Sequence, residues 1–425
     1  MKTLRKISFY CVLVTLMIGL NACSDGTPVT PAKNSENKIE KFSITSENST
    51  IDAVINHETS SITFQLPPAL EPTSSLIPII EVSIGATVTP ASKVAQNFEV
   101  PVTYTVKAEN GTEKKYTVEI KPESSSKDIP MPPKYLCIYY GYPSLVNGSG
   151  GNVAVAANTF RQSNMLVLGD KLWQVTHDDY APTKEIIALL RQSKPTMQIF
   201  GYIDLGMTTQ KLSETDLKTA IDAWKVMGVT GIFADDFGYD FGVTRSRQNM
   251  FVDYAHSKGL AVFVNCWNIE DALGGSDSHL SSAYNDYYLL ESFLVGHGAY
   301  RPMSEFKLRG DRAYYYMKTK KIGIACSATL PTSELTATSN TSDKFKLSWY
   351  GTAMYNFDAY QFTDMYHSSN STLFFYPNPI TSYGTAWKQA DWIKTVSATR
   401  YERSTTTTMF YVEGDGATYG RGGSK

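Results

Sequence analysis

From residue 135 onward, short and almost wholly apolar segments alternate with helical ones, and this alternation admits few folds. The apolar segments are YLCIYYGY (135–142), MLVLGD (165–170), MQIFGYIDLG (197–206), GIFADDF (231–237), LAVFVNCW (260–267), DYYLLESF (286–293), KIGIACSATL (321–330) and AYQFTDMY (359–366). Between them, APTKEIIALLRQ (181–192) and SRQNMFVDYAHSKG (246–259) have helical spacing. SETDLKTAIDAWKVMG (213–228) opens on a Ser-x-x-Asp cap and closes at Gly. Strands with no polar face must be covered on both sides, which points to a parallel sheet inside a layer of helices. Eight strands in roughly 250 residues is the count and size of a (β/α)8 barrel. A doubly wound open sheet is the alternative, but no Gly-rich phosphate fingerprint follows the first strand. The expected class is α/β, with the barrel over residues 135–413. RYERSTTTTMFYVEGDGATYGRGGSK, at the end of the sequence, predicts a short strand pair and then a disordered Gly-rich tail over 414–425.

The residues before the barrel read differently. Lys2, Arg5 and Lys6 precede an apolar run from Ile7 to Leu20, and LNAC follows at 20–23. Charge, run and small-residue site have the form of a secretory signal over residues 1–22. The run is shorter than the about 20 residues a membrane-spanning helix needs. LNAC resembles the lipobox of bacterial lipoproteins, which implies lipidation at Cys23, an anchor in the outer membrane and a place at the cell surface or on the periplasmic face. A polar tether (23–37) comes next. KIEKFSI, SITFQLP, IPIIEVSI, PVTYTVKA and KKYTVEI then alternate with period two, and ENGT supplies a turn. Residues 38–121 thus predict a small β-sandwich, closed by a Ser/Pro-rich linker over 122–134. LPPAL (66–70), VSIGATVTP (82–90) and VTYTVKAENGTEKKYTVEI (102–120) resemble the immunoglobulin-like modules of Gram-negative surface lipoproteins. A spacer role fits best, with sugar binding through exposed aromatics as the alternative.

Composition excludes some functions. With 425 residues and a net charge of -2, the chain carries no clustered basic footprint for a nucleic acid. The six His are scattered, and no His-x-x-x-His or Cys-x-x-Cys pair occurs, so neither a metal nor another cofactor is expected. A cation held by Asp235, Asp236 and Asp240 is the weaker alternative. Cys137, Cys266 and Cys326 sit in separate apolar segments and read as buried thiols, not as a disulfide framework.

The chemistry gathers at the strand ends, where a barrel builds its active site. In TGIFADDFGYD (230–240), apolar Ile232, Phe233 and Ala234 run directly into Asp235 and Asp236. An unpaired buried carboxylate costs several kcal/mol, so the strand must surface there. Neighbours on a strand point to opposite faces, so one acid faces the barrel axis and the other is better placed for backbone N–H groups. Asp204 ends the third strand, Asn265 and Trp267 the fifth; Glu291 lies late in the sixth, and Tyr139, Tyr140 and Tyr142 end the first. Two convergent acids with aromatics and amides form the set that glycoside hydrolysis needs, one acid protonating the leaving oxygen and the other attacking or activating water. The competing reading makes Asp204 and Asp235 caps, Glu291 an ion-pair partner, Asp240 a turn residue, and Tyr314, Tyr315 and Tyr316 packing.

GYIDLG, MGVTGIFADDF, GLAVFVNCW and LLESF, in this order, resemble the spherulin-4-like and endo-α-1,4-polygalactosaminidase enzymes of glycoside hydrolase families 135 and 114. The resemblance covers about residues 135–300. It implies that Asp235, in the G-I-x-x-D of strand four, and Glu291 of strand six are the catalytic pair. Thr230 stands where those families often carry Asp, and the 268–285 loop is rich in Gly and Ser. Those departures leave the sugar open, an amino-sugar polymer being one candidate. The expectation is a lipid-anchored hydrolase whose partners are a polysaccharide substrate, the membrane through Cys23, and other glycan-handling surface proteins. Asp235 and Glu291 are its catalytic residues, and Asp236, Asp204, Tyr140, Tyr139, Asn265 and Trp267 contact substrate. A non-catalytic glycan-binding protein on the same scaffold is the rival.

Overall fold

The structure, a computed structural model, describes residues 33–46, 49–64, 76–98, 101–120, 129–169, 171–388 and 393–425. The signal segment, Cys23, LPPAL and most of the linker lie outside them. Among the described residues, no helix is long and apolar enough to cross a membrane.

The first unit is all-β. β1 (Ile39–Ser46), β2 (Ser49–Asp52), β3 (Val54–Asn56), β4 (Ser61–Phe64), β5 (Pro78–Val82), β6 (Thr87–Thr89), β7 (Val102–Lys107) and β8 (Glu113–Ile120) form two sheets, ordered β2-β1-β5 and β3-β4-β8-β7-β6. Period-two alternation turns Phe42 and Ile44 of one sheet toward Tyr104, Val106, Tyr116 and Val118 of the other, in one shared core. The five strands expected from sequence are β1, β4, β5, β7 and β8. The short β2, β3 and β6 are not among them. All five aromatics of this unit, Phe42, Phe64, Phe98, Tyr104 and Tyr116, are buried.

The second unit is a closed barrel. Its staves are β9 (Lys134–Tyr139), β10 (Met165–Leu168), β11 (Gln198–Asp204), β12 (Gly231–Asp235), β13 (Ala261–Asn265), β14 (Tyr287–Leu290), then, after the small hairpin β15 (Val295–Gly296) and β16 (Ala299–Tyr300), β17 (Gly323–Leu330) and β18 (Ala359–Asp364). All neighbours in the ring run parallel, and each stave falls inside one of the eight apolar segments except β9, which starts one residue earlier at Lys134. Among the described residues, seven α-helices alternate with them: α1 (Val153–Phe160), α2 (Tyr180–Ser193), α3 (Glu214–Met227), α4 (Arg245–Ser257), α5 (Ile269–Leu273), α6 (Met303–Thr319) and α7 (Asp343–Met354). Helix α3 carries the predicted Ser213–Asp216 capping box and ends at Gly228, φ 94°. Tyr314 and Tyr316 are buried in packing on α6. Cys137, Cys266 and Cys326 are free and buried.

Side-chain alternation divides each stave. Leu136, Ile138, Met165, Val167, Phe200, Phe233, Phe263, Tyr287 and Leu289 fill the barrel interior. The residues between them, such as Cys137, Ile199, Ile232 and Val262, face the helices. On the helix side, Gly201 lets the buried Trp224 of α3 lie against the barrel wall, where its Nε1 donates to the Tyr202 carbonyl (3.0 Å). The ring closes where β18 meets β9 through the pairs Ala359–Lys134 and Tyr360–Tyr135. Above that short ladder the Gln361 amide accepts from the Ile138 N–H (2.8 Å) and donates to its carbonyl (3.0 Å).

The last segment differs from expectation. Residues 394–424 form a four-stranded antiparallel sheet of β19 (Lys394–Ser397), β20 (Arg400–Ser404), β21 (Met409–Gly414) and β22 (Gly420–Ser424). The Gly-rich tail, expected to be disordered, supplies its last strand, and the barrel proper ends at Asp364. The glycines serve close approach to α7. A Cβ on Gly420 would meet Leu347 Cδ2 at 2.6 Å, and one on Gly422 the Lys346 carbonyl oxygen at 2.6 Å.

Candidate active site

Directly above the apolar interior, the next inward position carries a polar side chain on most staves, Ser327 and Gln361 on β17 and β18 and one on each of five others. Two residues beyond Ile138, Phe200, Phe233, Phe263 and Leu289 stand Tyr140, Tyr202, Asp235, Asn265 and Glu291. They stand at the carboxyl-terminal rim, where a barrel of this kind builds its sites. Tyr140, Asp235, Asn265 and Glu291, with Asp236, Asp240, Trp267, Arg309 and His367, line a cavity of about 390 Å³.

Asn265 ties the acids together. Its Nδ2 donates to Asp235 Oδ1 (2.9 Å) and to Glu291 Oε2 (3.0 Å). Those two oxygens therefore lie no more than about 5.9 Å apart, the sum of the two bonds. Asp235 Oδ1 also accepts the Asp236 backbone N–H (3.0 Å), and the Tyr202 hydroxyl donates to the same carboxylate. Glu291 is held through its main chain, its carbonyl accepting from Arg309 Nη2 (2.6 Å). Its side chain remains 35% exposed, open to the cavity.

Electrostatics favour a proton on this group. Burial, then Asp236 and Glu291, push Asp235 from 3.8 up to about 7, against the pull of Asn265 and Tyr202. Asp236 is raised as well, first by burial and then by Asp204.

The expected site residues separate as follows. Asp235, Glu291, Asn265, Tyr140, Asp236 and Trp267 line one cavity. Asp236 does so because it adopts a left-handed conformation (φ 52°), turning the chain so that both adjacent acids face the same space. Trp267 is 60% exposed, with the Arg301 and Arg309 guanidinium groups 5.3 and 5.4 Å from its ring. Tyr139 does not reach the cavity. Its position faces outward, and its ring packs edge-on against Phe160 at 5.2 Å. Asp204 does not reach it either. Its Oδ1 is taken by the Gly206 N–H and the Thr209 hydroxyl (both 2.7 Å), making it an organiser of its own loop. Cys23 lies outside the described residues.

Tyr202, Arg309 and His367 are absent from the sequence expectation, and Asp240, expected as a turn residue or, more weakly, as a cation ligand, lines the cavity. Tyr202 was within reach of the same alternation. Arg309 and His367 come from a helix and a post-strand turn, where no such period applies. Among the described residues, no group of three or more His, Cys, Asp or Glu is arranged to hold a metal ion.

Residues 39–120 match the family model described as SGBP, N-terminal, the N-terminal domain of surface glycan-binding proteins. No curated protein matches the chain. Among solved structures, a Bacteroides thetaiotaomicron protein named as a candidate glycoside hydrolase is 29% identical over 25% of this chain and 30% of its own length, with a TM-score of 0.21. The glycoside hydrolase domain of PelA from Pseudomonas aeruginosa is 11% identical over 55% of this chain and 96% of that one, with a TM-score of 0.37. Eubacterium rectale Amy13B is 7% identical over 68% of this chain and 88% of that one, with a TM-score of 0.41.

Proposed function

We propose that this chain is a cell-surface glycoside hydrolase that cleaves a polysaccharide with Asp235 and Glu291. The observation that carries the reading is the single Asn265 amide bonded to both carboxylates. Two acids brought this close at an open cavity, with Asp235 keeping its proton up to about pH 7, match the two-carboxylate requirement of glycoside hydrolysis. The upper bound of about 5.9 Å lies short of the roughly 6.5–9.5 Å that leaves room for an inverting water and admits the roughly 5–5.5 Å of retaining enzymes. A retaining mechanism follows, with a covalent glycosyl intermediate on one acid while the other serves first as acid and then as base. Trp267 offers a flat face to a sugar ring, and Tyr140, Asp236 and Asp240 offer hydroxyl partners.

The motif order supports kinship with families 135 and 114, and an amino-sugar polymer is the substrate to test first. The lipobox-like LNAC supports an anchor at Cys23 in the outer membrane. With its aromatics buried, the β-sandwich has no flat face to offer a sugar and serves as a spacer between anchor and barrel.

A second reading, glycan capture without turnover, is favoured by the match of residues 39–120 to a glycan-binding family. A panel of bacterial and host polysaccharides, assayed for both binding and new reducing ends, separates the two. Release of reducing ends that Glu291→Gln abolishes supports the hydrolase. Binding that both proteins share, with no release by either, supports capture alone.

A further inference from the structure

The cavity holds one imidazole that the two-acid reading leaves without a role, and its surroundings fix it closely. Stave β18 ends in Asp364, which is fully buried. Its Oδ1 accepts the backbone N–H groups of Tyr366 (3.0 Å) and Ser368 (2.9 Å), and its Oδ2 accepts the hydroxyls of Thr332 (3.1 Å) and Ser371 (2.5 Å). The His367 N–H donates to the Asp364 carbonyl (3.1 Å), and the His367 carbonyl accepts the Tyr140 N–H (3.2 Å). This turn keeps two consecutive non-glycine residues left-handed, His367 at φ 49° and Ser368 at φ 57°. Such a conformation costs about 1–3 kcal/mol per residue and persists only where its surroundings enforce it.

His367 is 6% exposed, its ring tilted against Tyr140 with centroids 5.0 Å apart. Its Nε2 stands 4.0 Å from Glu291 Oε1, while its Nδ1 has no hydrogen-bond partner among the described residues. A buried orphan nitrogen costs about 1–3 kcal/mol. An apolar side chain would fill the space without that cost, so packing alone does not account for a histidine here.

We propose that His367 is a positioning residue for Glu291: its Nε2–H faces Oε1 while Asn265 holds Oε2, so that donors at both oxygens align the carboxylate. This rests on the hydrolase reading for its purpose, although the pairing itself does not. Three polar groups face the ring, namely Glu291, Asp364 and Tyr140, and the Asp364 oxygens are already engaged by four donors. Burial favours the neutral ring, and the two acids pull the other way. With the proton on Nε2, the donor points at negative charge. The opposite tautomer would bury an unmatched N–H and turn a lone pair toward a carboxylate. The 4.0 Å gap is longer than a hydrogen bond, and a movement of about 1 Å by Glu291 against a bound sugar closes it.

Imidazole ¹⁵N spectra of the whole protein test the pairing without any need for turnover. The expected result is the Nε2–H tautomer at neutral pH, and a His367 protonation midpoint that falls by about 0.5 pH unit or more in Glu291→Gln. An Nδ1–H tautomer, or a midpoint that Glu291→Gln leaves in place, overturns the proposal. In turnover, His367→Ala should lower kcat about 10–100-fold with KM nearly unchanged and shift the pH profile. His367→Gln, which keeps an N–H donor on that side, should recover part of the loss. Equal losses in both variants on an unaltered pH profile would show a structural role only. Wild-type protein that hydrolyses nothing would end the hydrolase reading and leave the spectra to judge the pairing.

Discussion

Asp235 and Glu291, at the ends of the two staves that flank β13, take hydrogen bonds from the same nitrogen of Asn265. An amide NH₂ has two hydrogens about 120° apart, so two acceptors on one nitrogen are set at a spacing that neither acid chooses alone. The stereochemistry of cleavage follows from it. Proton NMR of the first product formed should show the substrate's own anomeric configuration, mutarotation appearing only later. Initial release of the opposite anomer would contradict the spacing argument.

Asp235→Asn bears on stability as well as activity. The native Asp235 keeps its proton up to about pH 7, whereas an unfolded aspartate releases it near 3.8. Well below pH 3.8 both states are protonated, and the contribution of Asp235 to stability is fully present. That contribution is lost as pH rises toward 7. The Asn variant should match wild type in stability near pH 3 and exceed it above pH 7, in unfolding free energy by up to about 4 kcal/mol at 1.36 kcal/mol per pKa unit. It should also lose activity by orders of magnitude. Full turnover in this variant would remove Asp235 from the mechanism.

Trp267→Ala should weaken substrate binding more than it slows chemistry. The residue is 60% exposed and lines the cavity. A rise in KM of about tenfold corresponds to 1.4 kcal/mol of lost contact. A smaller fall in kcat is expected too, because Arg309 rests against this indole while holding the Glu291 carbonyl. Unchanged KM on every cleaved polysaccharide would mean that the ring lies off the substrate path.

Gly201→Ala tests the barrel wall. The added Cβ would fall 2.1 Å from Trp224 Cδ2, inside a fully buried contact. Moving that indole strains α3, and a loss of about 3 kcal/mol is expected in denaturant unfolding. A midpoint unchanged from wild type would show that the helix yields freely.

Much of the site was legible because a strand repeats every two residues. Phe233 to Asp235, Phe263 to Asn265, Leu289 to Glu291 and Ile138 to Tyr140 are the same step up the same inward face. Tyr139 fails by that rule, being the odd neighbour of an inward residue. Asp204 obeys it and still does not reach the cavity, because Gly206 and Thr209, only two and five residues on, claim its carboxylate. Such capture depends on how the loop folds back, which no periodicity records. His367 and Arg309 reach the cavity by turn geometry and helix length, and neither leaves a pattern in the chain. The unmarked closing sheet has another cause: glycine was read as conformational freedom, where the fold uses its lack of a side chain.

That substitution of contact for freedom makes the glycine-rich strand β22 a zipper seam along α7. A bulky residue at 420 or 422, or a proteolytic nick after Gly414, would peel the strand from its helix and bare Leu347 and Tyr350 to water. Engineered labels are better placed away from this seam, since damage to it would surface as clumping of an otherwise intact barrel.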